Sequence, residues 1–191
     1  MKYISKVLII LFFALTGIAM NAAAQVGMIL EVQGDVSITR SGSALPYIDI
    51  GDEIHNYDLI RTGRDGVVVV DLYSKSGMEG TLSVAPSSVF TLKMEQVRNE
   101  AHTEANLLGG SVGVKVRKLA GTPSLRIRSG STAMGVRGTQ FEVHISVNDS
   151  ILVTCTEGRV NCAEDGGESL DAVPGQAVQK AASETCVFLL G

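Results

Sequence analysis

Apolar and polar side chains alternate along several stretches of this chain, and this two-residue period constrains the fold more than any other feature. Residues 139–147 show it best, because every second residue there is apolar or β-branched and the residues between are polar. The same period recurs in residues 90–95, 112–117 and 125–128. Since successive side chains of a β-strand point to opposite faces, each stretch predicts a strand with one buried face.

Turn signals separate these stretches at residues 33–35, 64–66, 120–123 and 157–158. The chain has 21 Gly against 4 Pro, and no Trp, which suits short strands joined by glycine turns better than a helical bundle. Residues 97–108 are the one segment whose pattern could form a short helix. The sequence therefore predicts a single all-β domain of many short strands, built as a sandwich, a barrel or an irregular β-solenoid.

The first 24 residues have the pattern of a secretory signal peptide. Lys2 and Lys6 precede an uncharged apolar run at residues 7–20, and Ala22 and Ala24 are the small residues that a signal peptidase reads. The run is shorter than the roughly 20 residues that span a bilayer, so we expect cleavage after Ala24 rather than an uncleaved anchor. The predicted location is the periplasm or the extracellular medium, with no later membrane span.

Residues 25–191 would then form the mature domain, with its core at about 58–145 and C-terminal strands at 150–190. Loss of two lysines leaves 14 basic against 20 acidic residues, a net charge of −6 that gives no basis for binding nucleic acid. The apolar residues 187–191 end the chain, and we expect them to pair as a last strand because an unpaired apolar strand invites aggregation.

Several short blocks follow one another at residues 51–54, 59–63, 82–88, 110–112, 133–143, 153–160, which we expect to form a hairpin, and 174–176. Their order and spacing resemble the FecR-like periplasmic domain over about residues 27–180. The motif positions that carry the resemblance are Arg61, Thr62, Gly63, Gly135, Arg137, Gly138, Thr139 and Phe141. The resemblance implies an all-β domain that acts by protein–protein contact.

Signalling members of that family pass information from an outer-membrane receptor to a cytoplasmic sigma factor, using a cytoplasmic segment, a transmembrane helix and a receptor-binding domain. We find no counterpart of these segments and expect a free-standing exported form. We read the motif as structural: Gly135 and Gly138 should allow backbone angles or close approaches that a Cβ would forbid. Arg137 either caps backbone carbonyls or faces a partner, and residues 61–63 are a strand end followed by a turn.

One enzyme hypothesis rests on Thr154-Cys155, Arg159 and His102, because the first three are similar to the strand end and following arginine of sortase transpeptidases. Against it, Cys155 shares its predicted face with Ile151 and Val153 and should point into the core. We therefore expect no enzyme activity, cofactor or metal. With residues 157–158 as a two-residue turn, the thiols of Cys155 and Cys162 lie diagonally, a marginal geometry for a disulfide. Pairing of either with Cys186, or no bond at all, is equally open.

Residues 105–141 contain six basic and no acidic residues. If residues 119–122 turn the chain, four of the basic residues crowd one outer face of a hairpin and form a candidate binding face: Lys115, Arg117, Arg126 and Arg128. The face would dock an acidic patch of another envelope protein or, as the alternative, an anionic envelope glycan. Absence of Trp favours protein. Cover by acidic residues of the same chain, or exposure to solvent, explains the charges equally well.

Overall fold

The structure is a computed structural model. It describes residues 24–73, 78–97, 100–119, 124–130, 132–145, 150–164, 169–181 and 187–189. These residues form strands and turns, with no helix among them. The strands are β1 (Gln25–Gln33), β2 (Val36–Arg40), β3 (Ser43–Ala44), β4 (Glu53–His55), β5 (Leu59–Thr62), β6 (Val67–Leu72), β7 (Met78–Val84), β8 (Val89–Val97), β9 (Glu100–Leu119), β10 (Ser124–Ser129), β11 (Thr132–Ile145), β12 (Ile151–Glu164), β13 (Ser169–Ala172), β14 (Ala177–Lys180) and β15 (Val187–Leu189). The predicted all-β class is confirmed.

The short helix considered for residues 97–108 is wrong. β8 ends at Val97, and β9 begins at Glu100 and pairs with it in antiparallel register. The first half of β9 buries Thr103, Ala105 and Leu107, which is a two-residue period. The pattern was hard to recognise because threonine and alanine are only weakly apolar.

All the described strands belong to one hydrogen-bonded sheet, but the sheet has two layers. Layer 1 contains β4, β1, β6, β7, the second half of β9 (110–119), the second half of β11 (140–145), the first part of β12 (151–155), β14 and β15. Layer 2 contains β3, β2, β5, β8, the first half of β9 (100–109), β10, the first half of β11 (132–137), the second part of β12 (159–164) and β13.

The layers face each other across a single core. Phe141, Val114 and Val70 from layer 1 belong to the same buried cluster as Phe90 and Ile127 from layer 2. No helix in the described part of the chain could cover these inner faces, so each layer buries the inner face of the other. The fold is thus sandwich-like, although its two layers share strands.

The long strands pass from one layer to the other through local irregularities. β9 changes layer at Gly109-Gly110, where Gly110 has a φ of 88°. β12 changes layer beside Gly158, which has a φ of 76°, and its register with β11 shifts there. The two-residue turn expected at residues 157–158 is therefore wrong, because β12 continues through it from Ile151 to Glu164. A glycine with positive φ marks a bend in a strand as well as a hairpin turn.

β9, β10 and β11 close a ring. β10 pairs in parallel with the first half of β9 and antiparallel with the first half of β11, and the second half of β11 pairs directly with β9. A parallel pair cannot be a hairpin, so the hairpin expected around residues 119–122 is wrong. Residues 120–123 themselves lie outside the described part of the chain.

The two ends of the sandwich differ. At one end, residues 45–52 cross from layer 2 to layer 1. The Leu45 N–H donates to the Ile38 carbonyl in layer 2, and the Gly51 N–H donates to the Ile29 carbonyl in layer 1. Leu45 and Ile48 pack against the core from this crossing segment. At the other end β15 pairs with β14, which confirms the strand expected near the C-terminus.

The described structure begins at Ala24, and β1 begins at the next residue, Gln25. Residues 1–23, which include Ala22, lie outside it, so signal cleavage after Ala24 stays a prediction.

Candidate functional site

Thr62 and Ser88 hold the corner where the chain leaves layer 2 for layer 1. The Thr62 hydroxyl donates to the Ala85 carbonyl at 2.6 Å and accepts the Ser88 N–H at 2.9 Å. The Ser88 hydroxyl in turn accepts the Ser111 N–H at 2.9 Å. Both side chains are buried, so every one of these bonds replaces a lost bond to water. The motif threonine is therefore part of the frame of the fold.

Gly63 follows at the point where the chain approaches Asp35 most closely. Its N–H donates to the Asp35 carbonyl at 2.7 Å, and its own carbonyl accepts the Ser87 N–H at 2.8 Å. A Cβ on Gly63 would lie 2.5 Å from Oδ2 of Asp35, so a larger residue would disrupt the corner. Since β5 ends at Thr62, residues 61–63 are a strand end followed by a turn, as expected. Arg61 is exposed on the outer face of that strand.

Arg40 and Asp58 form a mostly buried ion pair that the sequence gave no reason to single out. The Arg40 guanidinium donates to both carboxylate oxygens of Asp58, with the shortest contact at 2.7 Å. The same carboxylate accepts the His55 N–H at 2.8 Å. The pKa of Arg40 is raised, first by its hydrogen bond to Asp58. The pair fixes the turn between β4 and β5.

That turn holds Tyr57 in an unusual backbone conformation. Asn56 clamps it to β8, since its side-chain amide donates to the Met94 carbonyl at 2.8 Å and its amide oxygen accepts the Met94 N–H at 2.6 Å. The Tyr57 N–H donates to the Leu92 carbonyl at 2.8 Å. Tyr57 has a φ of 68°, a left-handed conformation that costs a bulky residue about 1–2 kcal/mol, yet its side chain is 61% exposed.

The second half of the motif lies on β11. Phe141 is fully buried and stands opposite Val114 and Cys155. Gly135 has an ordinary strand conformation, and a Cβ on it would meet no atom within 4 Å. The prediction that Gly135 needs to be glycine for backbone reasons is therefore wrong.

Arg137, Gly138 and Thr139 lie where β11 passes between the layers, at the register shift opposite β12. Their side-chain surroundings lie outside what the structure describes. The alternatives for Arg137 and the conformational role of Gly138 accordingly stay predictions.

The four basic residues of the candidate binding face lie on two opposite outer faces. Lys115 and Arg117 lie on layer 1, whereas Arg126 and Arg128 lie on layer 2, because β9 changes layer at Gly110. The single basic face is therefore wrong. Two of the four are also neutralised within the chain: Arg117 pairs with Asp71, and Arg128 pairs with Glu104 at 3.1 Å.

Of the four residues of the enzyme hypothesis, Cys155, His102 and Arg159 do not converge. Cys155 points into the core and is 2% exposed, as expected, and its thiol donates to the Glu157 carbonyl at 3.4 Å. Burial raises the pKa of the Cys155 thiol, which keeps it protonated and unreactive. His102 and Arg159 lie on the outside of layer 2, where Arg159 pairs with Asp171 at 2.9 Å.

The relative position of Cys155 and Cys162 also differs from the one expected for a hairpin. Cys155 stands opposite Phe141 in layer 1, and Cys162 stands opposite Met134 in layer 2, with no disulfide between the two. Cys186 lies outside the described residues.

Within the described ranges, no three His, Cys, Asp or Glu side chains gather as a metal site would require. The same ranges contain no helix that is long and apolar enough to cross a membrane.

Comparison with known proteins identifies a matching family. The family model described as FecR protein matches residues 58–161, which is more than half of the 191-residue chain. The matched segment runs from Asp58 of the buried ion pair to Asn161 of β12, and so includes the corner and the ring of β9, β10 and β11. No curated protein matches the chain.

Proposed function

This chain belongs to the FecR protein family, and from that premise we propose that it is an exported, non-enzymatic binding module of the cell envelope that acts by contact with another protein. The observation that carries the proposal is that residues of the family's sequence blocks are buried and support the fold. Thr62, Ser88 and Phe141 are buried and engaged with their own chain. What remains for function is the pair of outer faces of the sandwich.

The buried thiol supports a non-enzymatic role. A cysteine nucleophile needs a thiolate that a substrate can reach, and Cys155 has a raised pKa and almost no exposed surface. The acyl-transfer chemistry of a sortase would also need His102 and Arg159 beside the thiol. Both lie on the outer face of layer 2, whereas the thiol points into the core from layer 1.

Export supports an envelope role. Lys2, Lys6 and the alanines at 22–24 form the signal-peptide pattern described above, and the strands begin directly after it at Gln25. We propose the periplasm or the medium as the place of action.

A second candidate function is binding of an envelope polysaccharide. It is favoured by two exposed aromatic side chains, because tyrosine rings can stack on sugars. Tyr47, on the segment that crosses the end of the sandwich, is 88% exposed, and Tyr57 is 61% exposed.

Affinity capture tests the proposal. The full-length gene with a C-terminal tag is expressed in its own host, and the protein is purified from solubilised envelope with wild type and Cys155→Ala side by side. We expect one protein to co-purify in a fixed ratio, to the same extent with both variants. Absence of any stoichiometric protein, together with sedimentation of the purified chain on isolated envelope polysaccharide that Tyr47→Ser weakens, would favour the second candidate. A loss-of-function phenotype for Cys155→Ala, with folding intact, would contradict the non-enzymatic assignment.

A further inference from the structure

Tyr57 is held in a strained conformation without any burial that would compensate for it. Its φ of 68° lies in the region that glycine adopts freely, and its ring remains 61% exposed. Strained residues persist only where the surrounding structure over-determines them, and they concentrate at functional sites. The choice of tyrosine at this position therefore needs a reason outside the folded chain.

The hydrogen bonds around the turn do not require a tyrosine. The clamp to β8 uses the Asn56 side chain, and the bond from residue 57 to Leu92 uses only the backbone N–H. A glycine at position 57 would keep these bonds and remove the strain. What tyrosine adds is an aromatic ring in solvent.

The ring lies at one side of the outer face of layer 2. The Tyr57 N–H donates to the Leu92 carbonyl at 2.8 Å, so residue 57 lies beside β8 next to Lys93. Lys93 stands opposite Glu104, and Glu104 opposite Arg126, so these three residues form a row across β8, β9 and β10, with the Tyr57 turn beside its β8 end. Three interstrand spacings of about 4.8 Å place Arg126 about 14 Å from Tyr57, well within one protein contact surface.

Among the side chains that the structure describes, this outer face has an excess of positive charge. The acids described there each pair with a base: Glu95 with Lys93, Glu104 with Arg128 and Asp171 with Arg159. Arg61 and Arg126 are exposed on the same face and make no ion pair with any residue that the structure describes.

We propose that the outer face of layer 2 is the surface that binds the protein partner, with Tyr57 as its anchoring contact and Arg61 and Arg126 attracting an acidic surface on that partner. The inference rests on the proposed function and names its site. Tyrosine and arginine are the residues that most often dominate the binding energy of protein interfaces. Unpaired arginines add electrostatic attraction to a partner of opposite charge.

Three variants of the tagged full-length protein separate binding from folding. Tyr57→Gly removes the ring and the strain, so we expect a melting temperature about 2–4 °C higher and at least about a tenfold weaker capture of the partner. Tyr57→Ala removes the ring but keeps the strained backbone, so capture should fall equally without the gain in melting temperature. Arg126→Glu should weaken capture by about fivefold at low salt and less at high salt.

Lys115→Glu is the matched control, because it reverses one exposed charge on the opposite outer face. It should leave capture unchanged. The captured protein should itself present an acidic surface, and its binding to purified wild type should weaken as salt increases.

The outcomes are distinguishable. Capture that Tyr57→Gly leaves intact would place the interface elsewhere and overturn this inference, while the proposed function would stand. Absence of any protein partner for the wild type would overturn both. A lower melting temperature for Tyr57→Gly would show that the ring supports the fold, which contradicts the argument from strain. Retention by an anionic envelope polysaccharide, or salt-dependent dimers of the purified chain, lost in the same variants, would assign the face to a glycan or a second copy instead.

Discussion

Two buried hydroxyl groups, those of Thr62 and Ser88, hold together a corner that three strands share. Thr62 ends β5, Ser88 precedes β8, and Ser111 is the second residue of the part of β9 that lies in layer 1. The sequence indicated a strand end and a turn at residues 61–63. It could not indicate which side chains meet there, because Thr62 and Ser88 are 26 residues apart and only the packed layers bring them together.

Thr62→Val tests the corner at constant volume. Valine cannot donate to the Ala85 carbonyl or accept the Ser88 N–H, so two buried polar groups lose their partner. We expect the free energy of unfolding to fall by about 2–3 kcal/mol in urea titrations. Thr62→Ser, which keeps the hydroxyl, should cost less than half as much. Equal losses for the two variants would show that packing, rather than hydrogen bonding, holds the corner.

Cys155 predicts a pH effect whose sign follows from its burial. Burial raises the pKa of the thiol in the folded protein above its ordinary value of 9.0. Below about pH 9 the thiol is protonated in both states, but as pH rises further only the unfolded state loses the proton. Stability should therefore fall above pH 9, by up to about 1 kcal/mol per pH unit from this group.

Cys155→Ala isolates that contribution. The variant should be less stable at neutral pH because it leaves a cavity, but its stability should fall less steeply than that of wild type between pH 9 and pH 10. Chemical denaturation across this range provides the measurement. Parallel curves for the two proteins would mean that the thiol is accessible to water in the fold.

β9 illustrates at the scale of an element how one strand serves two layers. Leu107 and Val112 both point into the core although they are five residues apart, and in a regular strand only residues an even number apart share a face. The alternation must therefore shift by one residue between them. Gly109 and Gly110 lie at this shift, and the φ of 88° at Gly110 turns the strand. The two alternating halves were visible in the sequence, whereas the bend was not. Glycine in a strand permits a bend but does not require one.

A pair of glycines separates these roles. Gly110→Ala should destabilise the protein by about 3 kcal/mol, because the new Cβ would approach the Ser88 Cα to 2.5 Å in a backbone conformation that alanine disfavours. Gly135→Ala should change stability by no more than about 0.5 kcal/mol, since its Cβ would meet nothing within 4 Å. Thermal and urea unfolding measure both. A severe effect at Gly135 would mean that the outer face of β11 is covered.

At the scale of the whole molecule, the described strands form one sheet whose two layers bury each other's inner faces, and the two outer faces differ in charge. Among the described residues, layer 2 carries Arg61 and Arg126 without an ion pair, whereas the outer face of layer 1 carries Glu31 and Glu142 exposed to solvent beside Lys115. Protection from solvent should also vary across the sheet. β9 has neighbours on both sides and belongs to the closed ring. Among the strands that the structure describes, β15 is the last of its layer and pairs only with β14.

Native-state hydrogen exchange should follow this order. Amides of residues 112–114 and 141–143 should exchange last, because they open only when the ring and the core open together. Amides of β15 should exchange much faster, by a factor of at least about 100, through local detachment of an edge strand. Exchange measured by mass spectrometry on the full chain reports both. Similar rates in β15 and β9 would indicate that the edge of β15 is covered, for example by another copy.

The sequence by itself determined that the chain is all-β, where most strands run, that Cys155 points inward and that residues 61–63 end a strand. These properties are local, because alternation and turn residues act within a few positions of the chain. The two-residue period of a strand therefore appears directly in the sequence. The tertiary structure alone decided that β9 and β10 run parallel, that Lys115 and Arg126 lie on opposite faces, and that Asp58 pairs with Arg40. Those facts depend on how the sheet folds over its own core, because the described residues include no helix that could cover its apolar faces and remove them from water.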